Sequence, residues 1–197
     1  MPRKSTLALA AAAAVALPVT LATSAFAHGY TQSPASRSYL CGQHKVNNCG
    51  QVQWDPDGVE GPKGFPSGGP GDGRICAGAD SRWSPLDDQR GGTGWPATKV
   101  TAGGALPISW RFTAAHSTTS FRYFLTKDGW DVTKPLTRAA LDLTPYHQEN
   151  LKGRPPANPT VHNTTLPQRH GRHILLSVWD IADTGNAFYQ CADVDFG

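Results

Sequence analysis

The second half of the chain sets the fold class. From Ala105 onward apolar residues come in short runs broken by polar turns, and no long stripe of helical period is present. Leu106-Pro107-Ile108-Ser109-Trp110-Arg111-Phe112-Thr113-Ala114 alternates apolar with polar after Pro107, and Ser120-Phe121-Arg122-Tyr123-Phe124-Leu125-Thr126 is aromatic and strand-like. The segment Ala115-His116-Ser117-Thr118-Thr119 between them is turn-sized, so the two runs are expected to form a hairpin or to lie as neighbours. Residues 173–181 and 187–196 repeat the pattern around a loop at 182–186, whereas 151–165, rich in Pro, Asn and Thr, reads as loop. Short strands between polar turns predict a mainly β chain folded as an antiparallel sandwich.

The first half has a different texture. Residues 28–37 read as a short edge strand that runs into a turn at Pro34, because proline has no N–H for a ladder. Between Cys41 and Gly104 the chain is crowded with Gly and Pro, as in Asp55-Pro56-Asp57-Gly58 and Ser67-Gly68-Gly69-Pro70-Gly71-Asp72-Gly73. Trp54, Phe65, Ile75, Trp83, Leu86 and Trp95 are spaced through it, which a disordered linker would not need. An ordered excursion with a short helix or two is expected, one near residues 86–90, and Trp83 and Trp95 suit packing as well as they suit binding.

Four cysteines, Cys41, Cys49, Cys76 and Cys191, allow three pairings. The favoured one joins Cys41 to Cys49 in a local loop and Cys76 to Cys191 across most of the chain. A zinc site is disfavoured: no Cys-x-x-Cys pair occurs, and His44 is the one histidine between Cys41 and Cys76.

Disulfides fit the start of the chain, where Arg3 and Lys4 precede an Ala/Leu/Val-rich stretch and small residues stand at Ala25 and Ala27. Residues 1–27 read as a secretory signal peptide, and 28–197 as one domain that is secreted to the extracellular space. Of 18 basic and 15 acidic residues the leader carries two basic ones, so 16 stand against 15 after cleavage, a net charge of +1. No nucleic-acid partner is expected on that balance. No apolar run after the leader reaches the roughly 20 residues of a membrane span, so no membrane partner is expected and a monomer is anticipated.

Cleavage after Ala27 would leave His28 with a free α-amine. That amine and the ring Nδ1 of the same residue can close a six-membered chelate on a metal. His116 lies in the turn after the Ile108 run; taken alone it is an ordinary hydrogen-bonded histidine, but with His28 it completes three nitrogens in a plane. A tetragonal set suits Cu(II), whereas zinc prefers a tetrahedron, so copper is the expected ion.

Several segments in order then resemble one family. His28-Gly29-Tyr30 with Ser33-Pro34-Ala35-Ser36-Arg37, Val59-Glu60-Gly61-Pro62-Lys63-Gly64-Phe65-Pro66, Thr113-Ala114-Ala115-His116-Ser117-Thr118-Thr119-Ser120, Pro135-Leu136-Thr137-Arg138 and residues 178–189 are similar to lytic polysaccharide monooxygenases of the bacterial chitin-binding-protein type. The resemblance spans essentially the whole chain after the leader. It implies a fibronectin-III-like or immunoglobulin-like sandwich with one copper ion held by His28 and His116. It implies oxidative cleavage of crystalline chitin, with C1 attack favoured and cellulose as the other substrate. An external electron donor and dioxygen or hydrogen peroxide are implied as co-reactants.

By the same resemblance Phe188 is an apolar wall on one axial side of the metal, Ala114 crowds the other, and Glu60 is an acid beside the reacting oxygen. Trp54, Asp55, Glu60, Asp183 and Asn186 match a flat substrate face, with Trp54 placed to stack on a sugar ring. Trp54 and Asp55 stand where relatives often carry Tyr and Glu, which blurs chitin against cellulose. A hydrolase would need two carboxylates about 5 to 10 Å apart around a bound chain, and no persuasive pair is visible. A non-catalytic chitin-adhesion module using the same face is the rival reading.

Overall fold

The computed structural model describes residues 27–197, so the leader expected over 1–27 lies, apart from Ala27, outside the described residues. Strands β1 (His28–Ser33), β4 (Ala105–Ala114) and β7 (Thr160–Thr165) form one antiparallel sheet in the order β1-β4-β7. Strands β2 (Glu60–Pro62), β5 (Thr118–Leu125), β6 (His147–Asn150), β8 (Arg172–Ile181) and β9 (Asn186–Asp195) form the second, in the order β2-β9-β8-β5-β6, and the two-residue β3 (Thr98–Lys99) runs parallel to the end of β9. The result is the expected mainly β sandwich, with a long excursion between β1 and β4. No helix among the described residues is long and apolar enough to cross a membrane.

The strongest apolar runs build the sheet that is covered on both faces. Along β8, Leu175, Trp179 and Ile181 face the three-stranded sheet, while Ile174, Leu176 and Val178 face the excursion. Along β9, Phe188 and Val194 join the first cluster and Ala187, Tyr189 and Cys191 the second. Side chains alternate across a strand, so a strand buried on both sides reads as continuous hydrophobicity. The excursion is thus a third layer, not a linker. Trp83 and Trp95 are buried within it, which settles them as packing residues.

Three expectations fail, each for a physical reason. The Ile108 and Phe121 runs do not pair: β4 is taken on its two sides by β1 and β7, and β5 by β6 and β8. The 115–119 segment is therefore a crossing between sheets, and the two strands meet through side chains, with Trp110 and Phe121 ring centroids 5.3 Å apart. The 151–165 stretch contains β7, hidden in the sequence because its inward residues are His162 and Thr164. Residues 86–90 are not a helix but a joint between two 3-10 turns, Ser81–Leu86 and Arg90–Gly92. A short helix, α1 (Arg37–Gly42), was not anticipated at all; Ser36 caps it by accepting from the Tyr39 N–H.

The buried polar residues of β7 are satisfied from across the core. Trp110 Nε1 donates to the Tyr123 hydroxyl at 2.9 Å, and that hydroxyl donates in turn to His162 Nδ1. Burial pushes the His162 imidazole down to about 4. In the excursion, Asp87 Oδ1 accepts the Cys76 and Ala77 N–H groups at 2.9 and 3.2 Å, yet burial outweighs those bonds and raises its carboxyl to about 6. Disulfides join Cys41 to Cys49 and Cys76 to Cys191, with sequence separations of 8 and 115. The second bridge fastens the excursion to β9, and a loop of that length is worth roughly 5 kcal/mol in the chain-entropy account.

These two groups act on stability with opposite signs. Asp87, with its folded pKa raised, adds stability that is full below about pH 3.8 and is lost as pH rises through about 6. His162, with its folded pKa lowered, adds stability that is full above about pH 6.5 and is lost as pH falls through about 4. Asp87→Asn keeps the acceptor oxygen and removes the buried charge. It is expected to exceed the wild type by about 1 to 3 kcal/mol at pH 8, with the gap closing toward pH 4. Urea denaturation at pH 4, 6 and 8 checks this, and a gap independent of pH would refute it.

Candidate metal and substrate site

The register of β1 on β4 brings the two predicted histidines together. His28 pairs with Ala114, and His116 follows two residues beyond, so both imidazoles leave the same end of the three-stranded sheet. A register shift falls between His28 and Gly29. It needs glycine: a Cβ on Gly29 would lie 2.7 Å from Phe112 Cδ1 and 3.1 Å from the Arg111 carbonyl. The Gly29 N–H donates to the Asp57 carbonyl at 3.0 Å, and the Asp57 carboxylate accepts from Thr113 Oγ1. One turn of the excursion thus pins both strand ends.

Asp55, His28, Ala27, Gly58, Glu60, Arg82 and Trp83 surround a hollow of about 230 Å³. Burial raises the Asp55 carboxyl, with the charge of Asp57 and a hydrogen bond to it adding to the shift and His28 opposing it. Trp54, the residue before, is 72% exposed, as a stacking platform requires. Glu60 pairs with Phe188 across β2 and β9 and accepts from Asn186 Nδ2 at 3.3 Å. Phe188 is fully buried, its ring 4.9 Å from that of Trp179. Ala114 is half-buried opposite His28.

The 182–186 loop closes the site. Its Asp183 carboxylate lies 2.8 Å from His116 Nε2, so a residue assigned to the substrate face also orients a candidate ligand. A cation taken at Nε2 replaces the proton shared with Asp183, and one taken at Nδ1 keeps the carboxylate as the ring's outer partner. Lys63 holds the loop in shape: its Nζ donates to the Ile181 carbonyl and, at 2.6 Å, to the Thr184 carbonyl, while its N–H reaches the Gly185 carbonyl at 2.9 Å. Neither Asp57 nor Lys63 was singled out from sequence. Asp57 accepts from the Gly29 N–H and the Thr113 hydroxyl, and Lys63 donates to carbonyls; the only hint was the turn chemistry of Asp-Pro-Asp-Gly and Gly-Pro-Lys-Gly.

Among the described residues no group of three or more His, Cys, Asp and Glu side chains is arranged for a metal. The nitrogen of His28 itself is a peptide N–H while Ala27 is attached. Cleavage would turn it into an amine at the same strand end. The three-nitrogen set expected from the sequence fits copper better than a tetrahedral zinc site.

Sequence comparison decides the family. The profile described as "Lytic polysaccharide mono-oxygenase, cellulose-degrading" matches residues 28–194. The chain belongs to the lytic polysaccharide monooxygenase family. It is 44% identical over 191 residues to the AA10 family lytic polysaccharide monooxygenase C of Mycosarcoma maydis, covering 93% of this chain and 58% of that protein. It is 42% identical over 197 residues to GlcNAc-binding protein A of Shewanella oneidensis, covering 100% of this chain and 41% of that protein. The chain thus spans little more than half of these relatives' length, or less.

Solved structures of the family agree on the fold. An AA10 lytic polysaccharide monooxygenase from Streptomyces lividans superposes with a TM-score of 0.83 at 45% identity, covering 86% of this chain and 100% of that one. A Bacillus amyloliquefaciens CBM33 protein in complex with Cu(I) gives 0.78 at 37% identity, covering 85% and 99%. The family is copper-dependent.

Lys63→Met tests how the loop is held. Two carbonyls lose their charged donor, so a loss of about 1 to 3 kcal/mol in urea denaturation is expected. Exchange of the Ala182 amide, which donates to Ser117, should quicken by about tenfold or more. Unchanged exchange there would show that Lys63 does not organise the loop.

Proposed function

We propose that the chain, cut after Ala27 and exported, holds one copper ion with His28 and His116 and cleaves the glycosidic bonds of crystalline chitin oxidatively at C1. The observation that supports the reading is the pairing of His28 with Ala114, two residues before His116. Residues 28–197 act as one secreted domain and as a monomer. The name of the Shewanella relative, GlcNAc-binding protein A, supports chitin, a polymer of N-acetylglucosamine. The profile's wording, cellulose-degrading, makes cellulose the substrate to run beside it.

Copper, when bound, supplies the redox chemistry, drawing on an external electron donor and on dioxygen or hydrogen peroxide. The chain's own groups prepare the place. The His28 amine and ring and the His116 ring bind, with Asp183 and the Asp57 turn fixing their orientation. Phe188, buried on β9, keeps water from one side, and the small Ala114 leaves little room on the other. Glu60 presents a carboxylate at the rim, able to hold or release a proton there. Trp54 stacks on a pyranose, and Asp55, Asp183 and Asn186 meet its hydroxyls. A broad, open face suits a crystalline surface, which cannot enter a deep cleft.

Two measurements test this together. Protein beginning at His28 should bind copper more tightly than protein with one extra residue before it, by more than about tenfold, the scale on which even outer partners of a ligand act. Its affinity should fall as pH drops below the range of an ordinary α-amine, roughly 7.7 to 8.0. Calorimetry and electron paramagnetic resonance give both. Mass spectrometry of products from β-chitin and cellulose, with ascorbate and copper, should show aldonic acid oligomers. Adsorption without oxidised products would leave an adhesin, and equal affinity of the extended protein would remove the amine from the site.

A further inference from the structure

A second hollow adjoins the first. It measures about 380 Å³ and is lined by Glu60, Gly61, Pro62, Gly78, Asp80, Arg82 and neighbours including Asn186. Glu60 and Arg82 border both hollows, so a chain lying over the histidines continues into this groove. The volume is within the range of small-molecule clefts, about 300 to 1,000 Å³.

Its floor is a close backbone contact. A Cβ on Gly61 would lie 2.0 Å from the Gly78 carbonyl oxygen, and one on Gly78 would lie 2.5 Å from the Glu60 carbonyl oxygen. Gly78 also has φ of +61°, where side chains are strained. The two backbones therefore approach this closely only because both residues are glycine.

Its walls are polar, with the carboxylates of Glu60 and Asp80 beside the one guanidinium of Arg82. Arg82 Nε and Nη2 donate to Asp80 Oδ2 at 2.9 and 2.7 Å, and the Arg82 N–H donates to Asp80 Oδ1 at 2.9 Å. The guanidinium lies 4.8 Å from the Trp83 ring centroid, which supports one of its faces. Five N–H groups sit on an arginine fork, and Asp80 uses two, so donors remain for a ligand. On the facing wall, Glu60 and Asn186 supply a carboxylate and an amide. Pro62 and Ala79 add small apolar surfaces.

This set selects a ligand class. An anion would meet two carboxylates against one guanidinium. An apolar molecule would bury the ion pair without satisfying it. A neutral polyol fits, with adjacent hydroxyls bridging the planar Asp80–Arg82 pair and C–H faces against Pro62 and Ala79. We propose that this groove is a saccharide subsite, holding the pyranose next to the unit over His28 and His116, with Asp80 and Arg82 as its polar clamp. The assignment rests on the polysaccharide reading above and extends it to residues outside the face that carries Trp54.

The test uses protein beginning at His28, labelled with nitrogen-15, and soluble chitohexaose and cellohexaose as separate probes. With at least one sugar, the Gly61, Gly78 and Gly185 amides should shift on titration. Arg82→Ala should weaken that binding by about tenfold, as loss of a charged hydrogen-bonding partner does. Asp80→Asn, which keeps the shape, should weaken it in the same direction and covers the case in which the first variant folds poorly. Groove amides that stay still with both sugars, or affinities of both variants within about twofold of wild type, would overturn the subsite. Product analysis separates the two readings. Groove shifts without oxidised products would sink the oxidative reading and leave the subsite, and oxidised products with a silent groove would sink the subsite alone.

Discussion

The side chain of Arg37 is the tie on which the layered arrangement depends. It is 1% exposed and spends its donors on three residues: Asp193 at 2.8 and 3.1 Å, the Leu86 carbonyl at 2.8 Å and Gln89 Oε1 at 2.8 Å. Its guanidinium also lies 5.0 Å from the Trp95 ring centroid. Helix α1, the joint between the 3-10 turns and the final strand are thereby held on one charge. A buried ion pair adds little over a well-packed apolar substitute, but removing one partner costs about 3 to 5 kcal/mol because the other charge is stranded. Arg37 therefore acts less as a source of net stability than as a device that permits one placement of the excursion.

That placement matters because the site is assembled from two kinds of structure. The imidazoles of His28 and His116, with Ala114 and Phe188, stand on or beside strands whose register the core dictates. Phe188 packs on Trp179, which packs on Phe112 at 4.7 Å, so β9 is tied through the core to the strand that pairs with His28. Trp54, Asp55, Glu60, Asp80 and Arg82 come from the excursion and its short strand β2. The turn at Asp55–Gly58 is where the two are stitched, through Asp57 to Gly29 and Thr113. Cys76–Cys191 and Arg37–Asp193 then prevent the excursion from sliding over β9.

Much of this was readable in the chain, and what was not has definite causes. The β8–β9 hairpin was legible because its two apolar runs flank a short polar loop. The β4–β5 pair was misread by the same rule, since a five-residue connection serves equally for a hairpin and for a step between sheets; what decides is which edges other strands occupy. Strand β7 was invisible because its inward positions are a histidine and a threonine, made tolerable only by a hydroxyl from Tyr123 and the Leu106 carbonyl, distant in sequence. In the site, His28 and His116 could be named as candidates from residue type and from the cleavage point expected before His28. Asp57, Lys63 and Arg82 could not, because they act on carbonyls, an amide or a neighbouring acid, contacts that leave no pattern of residue types.

The division of labour between strands and excursion has a consequence for specificity. A metal ligand must be placed to a fraction of an ångström, and strands locked by a close-packed core provide that. On the reading proposed above, a polymer surface with its repeating hydroxyls and ring faces would be met by exposed groups that tolerate exchange, such as Trp54 and the Asp80–Arg82 pair. On that reading, changing those groups would alter which sugar fits while the strands that carry His28 and Ala114 keep their register. Glu60 is the exception: it borders both hollows and pairs with Phe188, so an alteration there would reach the metal side and the sugar side together. Drift in substrate preference is thus expected around Glu60 and not at it.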